Sequence, residues 1–251
     1  MLCAARAELP QENFIYFADS GYAPYGDKSD AYVTDRSGHI GTWLVEQGAK
    51  AIVVACNTAT AAAVQALRAK FPLPIVGVEP GLKPATSTTR SGKVGVFATA
   101  RTLASERYAA LVARVKIDAP HIHFVPRIGE GWVEAVERGD FESRNTKNIV
   151  ARVVAPLLAE ECDTLVLGCT HYPFLSAVIQ AAAPQATIVD TAPAIARELK
   201  RRITSEAALN IGETRGSLRI AATGDTAGVS ALVATMLREQ STAQEIETVA
   251  Y

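Results

Sequence analysis

Ala51-Ile52-Val53-Val54-Ala55-Cys56-Asn57-Thr58-Ala59-Thr60 decides how this chain is read. An uninterrupted apolar run leads into a thiol, and hydrogen-bonding side chains follow at once. Such a run predicts a strand buried on both faces, as in a parallel sheet. The pattern recurs at Leu165-Val166-Leu167-Gly168-Cys169-Thr170-His171-Tyr172-Pro173. Again an apolar strand ends in Cys, and a polar residue comes next. The two cysteines lie about one small domain apart along the chain.

Strands and helices alternate outward from these two points. Before the first, residues Leu2 to Leu9 read as a helix stopped by Pro10, and Asn13 to Ala18 as a strand. Asp19 to Lys28 is a Gly/Pro/Asp loop. Ser29 to Gln47 is a helix closed by Gly48 in the C′ role. After Cys56 come a helix over Thr58 to Lys70 and a strand over Pro74 to Val78. Glu79 to Pro84 reads as a crossing point. Strands are then expected at Lys93 to Ala98, His121 to Val125, Leu165 to Leu167, Thr187 to Val189 and Leu218 to Ala222. Helices are expected at Thr102 to Val115, Gly131 to Arg138, Ser143 to Glu160, Phe174 to Ala182, Ala192 to Ile203 and Thr226 to Arg238. This alternation predicts an α/β fold of parallel, helix-covered sheets. About eight strands in two groups suit two domains. Ligands of open parallel sheets bind beyond the carboxyl ends of the strands, so a cleft between the domains is the expected site.

Composition narrows the function. The chain has 251 residues, is 49% hydrophobic and 20% charged, and carries a net charge of −1. A nucleic-acid partner would need a basic face, which this balance does not suggest. The N-terminus lacks a long apolar signal segment, and the most apolar window, Ala49 to Leu67, is broken by Lys50, Asn57 and Thr58. The reading is a cytoplasmic protein with no membrane partner. Cys3, Cys56, Cys162 and Cys169 contain no C-x-x-C and make no disulfide framework.

Free cysteine is among the most buried residue types, and packing suffices for Cys3 and Cys162. Cys56 and Cys169 differ because each stands at a strand end beside Asn or Thr. Thiols suit proton transfer near neutral pH, and a helix starting at Asn57 or Pro173 would aim backbone N–H groups at each sulfur. His171 is read as an acid/base partner of Cys169, since Cys-x-His alone falls short of a zinc site. His39, His121 and His123 are read as structural, the last two sharing one strand face. Asn57, Thr58, Thr99, Thr102 and Thr170 fall at strand ends, where hydroxyls and amides either grip a carboxylate or cap a helix. The turn at Pro24-Tyr25-Gly26 either presents backbone N–H groups to a ligand or is an ordinary turn. No G-x-G-x-x-G, G-x-x-x-x-G-K-[ST] or G-x-S-x-G is present. Thiol chemistry on a small polar substrate remains, with no metal and no cofactor motif.

The combination of A-D-S-G-Y-A-P-Y-G (18–26), V-V-A-C-N-T-A-T-A (53–61), V-G-V-E-P (76–80) and G-C-T-H-Y-P (168–173) resembles the glutamate racemases of bacterial cell-wall synthesis. The resemblance covers almost the whole chain. It implies a cofactor-independent racemase with one domain of residues 1–79 plus 191–251 and another of 80–190. It further implies that Cys56 and Cys169 are the two bases on opposite faces of the glutamate α-carbon. His171 would assist Cys169. Asp19 matches an acidic position near the first thiol, and Glu137 one near the second. Pro24, Tyr25, Gly26, Asn57, Thr58, Thr99, Thr102, Thr170 and His171 would bind substrate. Glutamate is the implied small-molecule partner, D-glutamate for peptidoglycan the implied product, and a homodimer is compatible.

The chain departs from the family pattern in two places. Gly129-Glu130-Gly131-Trp132 replaces the commoner Cys-Pro wording before Glu137. The family also opens with a strand and a loop of the type F-D-S-G-x-G-G, whereas this sequence starts inside the following helix. That start implies, for the chain taken as complete, impaired activity and stability on the Cys56 side. The alternatives are the same fold acting on aspartate, a hydantoin or a maleate-type diacid, and a homologue that binds substrate or a partner without turnover.

Overall fold

The computed structural model describes residues 1–206, 208–225, 228–229 and 233, and the backbone of 246–248. The chain divides into two compact units. One comprises Met1–Ala55, Ala62–Val78 and Ala192–Tyr251; the other comprises Cys56–Ala61 and Glu79–Thr191. The sequence reading places Cys56 with the first group of strands. By contacts, the first turn of its helix clusters with the second unit, where Thr58 meets Thr99.

The first unit opens with α1 (Leu2–Glu8), β1 (Phe14–Ala18) and α2 (Asp30–Glu46). Ser29 caps α2 by accepting from the Tyr32 N–H, and Gly48 closes it at φ +82°, a conformation that glycine adopts without strain. Next come β2 (Ile52–Val54), α3 (Asn57–Lys70) and β3 (Ile75–Gly77). Far along the chain, α10 (Ala192–Ser205), β8 (Leu218–Ala222) and β9 (Ile246–Thr248) complete the unit. β1 pairs in parallel with β8, β8 with β9, and β2 with β3. Alanine-rich α3 packs Ala63, Val64 and Leu67, together with Phe71 just past its end, against Ile52 and Ile75. Helix α1 and its C-cap set Ala5 and Leu9 against Leu199 and Ile203 of α10. Cys3 lies off that i, i+4 face and is exposed, not packed as expected. The expected full burial of the 51–55 strand holds for Ile52, whereas Val53 and Val54 are half-buried.

The second unit holds a four-stranded parallel sheet in the order β5-β4-β6-β7. Its strands are β4 (Lys93–Ala98), β5 (His123–Ile128), β6 (Thr164–Leu167) and β7 (Thr187–Val189). The helices are α4 (Leu82–Thr88), α5 (Ala100–Ala104), α6 (Glu106–Asp118), α7 (Trp132–Glu137), α8 (Arg144–Ala159) and α9 (Ser176–Ala182). Val94, Val96 and Val166 of the sheet meet Leu82, Leu111 and Val115 in one fully buried core.

Four local readings are corrected here. Helix α4 occupies what reads as irregular chain, because Pro84 falls in its first turn, where no N–H is needed. The single helix expected over 102–115 is two, parted at Ser105, which ends α5 and caps α6 by accepting from the Tyr108 N–H. His121 precedes β5, so it does not share a strand face with His123, and Pro126 is tolerated because β5 is an edge strand. Residues Tyr172–Leu175 form a 3-10 turn ahead of α9. Most of the expected helix over 226–238 lies outside the described residues.

Candidate active site

Cys56 lies two residues past β2, and α3 begins at the next residue. The Ala59 N–H donates to its sulfur across 3.4 Å, so the start of α3 points a backbone donor at the thiol as the sequence predicts. Burial pushes the Cys56 thiol pKa up, and the hydrogen bonds from Ala59 and Thr58 oppose that. The charge of Cys169 also pushes it up. Asn57 is 6% exposed, and its Oδ1 is buried without a hydrogen-bond partner. A buried orphan acceptor is costly, about 1–3 kcal/mol, and calls for a donor from elsewhere.

Hydroxyl groups line up beside it. Thr58 Oγ1 lies 3.3 Å from Thr99 Oγ1, and the Thr99 hydroxyl donates to Thr102 Oγ1 at 2.9 Å. Thr99, just past β4, also caps α5 by accepting from the Thr102 N–H. Thr58 and Thr102 are buried. Capping and carboxylate binding use different parts of a hydroxyl, since the cap accepts through a lone pair and a carboxylate takes the O–H.

Cys169 follows β6 and is 8% exposed. Its sulfur lies 3.8 Å from His171 Nδ1, and His171 Nε2 lies 2.6 Å from Glu137 Oε1. The sulfur is thus backed by an imidazole and then a carboxylate. Burial works against charge on His171, but the hydrogen bonds and charges of Cys169 and Glu137 outweigh it and raise its pKa to about 10. The bond to His171 in turn holds the Glu137 carboxyl below its ordinary value. The raised pKa favours the charged form of His171 between Cys169 and Glu137. Thr170 sits half-buried between Cys169 and His171. Gly168 is required by space: a Cβ there would come within 2.7 Å of the Phe97 carbonyl oxygen.

In the first unit Asp19 follows β1 and begins the loop to Lys28. Its carboxylate is engaged on both oxygens. Oδ1 accepts from Arg36 Nη2 at 2.5 Å and from the Thr223 hydroxyl at 2.9 Å. Oδ2 accepts from Arg36 Nε at 3.2 Å and from the Tyr25 hydroxyl. Pro24 is exposed, and Tyr25 and Gly26 are half-buried. A Cβ on Gly26 would meet nothing within 4 Å, so the site faces open space.

Among the predicted residues, then, Cys56, Asn57, Thr58, Thr99, Thr102, Cys169, Thr170, His171 and Glu137 belong to the second unit, and Asp19, Pro24, Tyr25 and Gly26 to the first. Sequence reading missed Arg36 and Thr223. Arg36 had a signal: it lies with Val33 and Ser37 on the buried stripe of α2, where an unpaired charge would be untenable. Among the described residues no three His, Cys, Asp or Glu side chains converge as metal ligands, and no helix is long and apolar enough to cross a membrane.

Parallel sheets whose strand ends carry two thiols, one under a helix start and one on a His–Glu pair, define the class as an α/β protein with paired cysteines at its strand ends. The family model described as Asp/Glu/Hydantoin racemase matches residues 2–199, and the chain belongs to that family. It is 45% identical over 248 residues to the glutamate racemase of Ralstonia pickettii (strain 12J), spanning 98% of this chain and 86% of the relative. The fold is that of solved glutamate racemases. The Bacillus anthracis structure superimposes with a TM-score of 0.88 at 27% identity, covering 99% of this chain and 92% of that one. The Escherichia coli enzyme, solved with L-glutamate and the activator UDP-MurNAc-ala, gives 0.86 at 30% identity with the same coverage.

Proposed function

We propose that this chain interconverts L-glutamate and D-glutamate, with Cys56 and Cys169 as the bases on opposite faces of the α-carbon. The observation that carries the reading is the pair of thiols at strand ends, Cys56 under the Ala59 N–H and Cys169 against the His171–Glu137 pair. A charge on Cys169 raises the Cys56 pKa, which favours one thiolate and one thiol over two thiolates. That is the protonation state a two-base racemisation needs. The Cys169 thiolate takes the α-proton and becomes a thiol. The Cys56 thiol gives its proton to the other face of the carbanion and becomes a thiolate. The reverse reaction exchanges the roles.

The surroundings fit the substrate. The orphan Oδ1 of Asn57 is an acceptor suited to an α-ammonium group. The hydroxyls of Thr58, Thr99 and Thr102, with Thr170, suit carboxylate oxygens. His171, charged and tied to Glu137, is the counter-ion of Cys169. After Pro24, the turn offers the Gly26 N–H as a backbone donor, with open space at Gly26. The similarity to enzymes named glutamate racemase favours glutamate over other substrates of the family. The product suits peptidoglycan synthesis in the cytoplasm. Loss of optical rotation from L-glutamate, D-glutamate, L-aspartate and a 5-substituted hydantoin tests the assignment. Glutamate should lead aspartate by at least about tenfold in kcat/KM, roughly one hydrogen-bonded contact's worth of discrimination. Preference for aspartate or the hydantoin would overturn it.

A further inference from the structure

Arg36 is a buried charged side chain that neither the thiol chemistry nor the fold's cores explain. It projects from α2 and its side chain is only 7% exposed. Its guanidinium grips both oxygens of Asp19, through Nη2 at 2.5 Å and Nε at 3.2 Å. Its other face lies 3.7 Å from the centre of the Tyr22 ring. Burying such a pair brings little net stability, because desolvation offsets the attraction. What it does bring is geometry, since a planar fork on a carboxylate fixes direction as well as distance.

The geometry it fixes is that of the loop. Asp19 accepts from the Tyr25 hydroxyl, and its carbonyl accepts from the N–H groups of Tyr22 and Ala23. Gly21 is pinned in turn to Thr223 by its N–H. The segment from Asp19 to Lys28 has no strand or helix of its own. Its shape therefore depends on these ties, most of which converge on Asp19.

We propose that Arg36 is a positioning residue that holds the Pro24-Tyr25-Gly26 turn in its substrate-receiving shape by gripping Asp19 and stacking on Tyr22. The proposal rests on the reading of that turn as a glutamate contact. Lysine cannot replace the fork, so R36K should recover only part of the function lost in R36M.

The test combines kinetics with hydrogen–deuterium exchange on wild type, R36K, R36M and Y25F. R36M should raise KM for both enantiomers by about tenfold, the scale of one lost charge-assisted contact, with kcat within about threefold. Amide exchange should rise in residues 19–28 and stay level in β4 and β6. Y25F, which removes one tie and leaves the ion pair, should show the same split with a smaller rise in KM. Unchanged exchange in 19–28, or a loss confined to kcat, would overturn the proposal. If R36M does not fold, R36K and Y25F decide it on the same two readouts. If wild type fails to racemise glutamate, the functional reading falls, and the exchange result still judges the role of Arg36 in the loop.

Discussion

Replacing Glu137 with Gln removes a charge and little volume. Glu137 Oε1 lies 2.6 Å from His171 Nε2, with the two side chains 51% and 30% exposed. A hydrogen bond to a charged acceptor is worth roughly 1.5–3 kcal/mol and a neutral one about 0.5–1.5, so the swap costs the imidazolium about 1 kcal/mol. Solvent screening at a half-exposed pair reduces that to about 0.5–1 kcal/mol, or roughly half a pH unit on His171. The sign follows from linkage. The folded His171 pKa, about 10, lies above its ordinary 6.5. Its contribution to stability is thus full below 6.5 and is lost as pH rises through 10. The Glu137 carboxyl is depressed below its ordinary 4.5, so its contribution is present above 4.5 and fades as pH falls through the lowered value. NMR titration of the imidazole resonances, assigned against a His171→Gln control, reads this directly. Wild type should titrate near pH 10 and E137Q lower, and the basic limb of kcat/KM should move down in step. A His171 midpoint near 6.5 in wild type, or one that E137Q leaves in place, refutes the reasoning.

Three further substitutions separate binding from folding. Gly26→Ala adds a methyl group where nothing lies within 4 Å, so Tm should stay within a degree or two while KM for glutamate rises. Gly168→Ala forces a Cβ against the Phe97 carbonyl and should cost about 1–3 kcal/mol in urea denaturation. Asn57→Ala deletes a buried acceptor that has no partner, so stability should hold or improve while KM rises about tenfold. A marked loss of stability with unchanged KM would assign Asn57 to the fold instead.

Much of this architecture was legible because it rests on local signals. The 51–55 run, Ser29 and Gly48 around α2, and the repeated strand–Cys pattern each declare themselves within a few residues. Misreadings arose where tertiary context overrides a local sign. Pro84 reads as a breaker but is harmless in a first turn, and Ser105 splits a helix whose apolar spacing runs on past it. Chemistry in the site followed the same division. Cys56 with its helix-borne N–H could be derived from the sequence. Glu137 entered only through the family resemblance, as an acidic residue near the second thiol, and its contact with His171, 34 residues away, was not foreseen. Arg36 went unnoticed because an arginine in a helix is expected to face water, and only its place on the buried stripe of α2 marks it.

The central claim is that two thiols move one proton each. It is tested most directly by incubating L-glutamate and D-glutamate in D₂O with wild type, Cys56→Ala and Cys169→Ala, and following deuterium at the α-carbon together with optical rotation. Wild type should place solvent deuterium in the product of either starting enantiomer, and neither single variant should racemise. Racemisation that survives the loss of either cysteine would contradict the account.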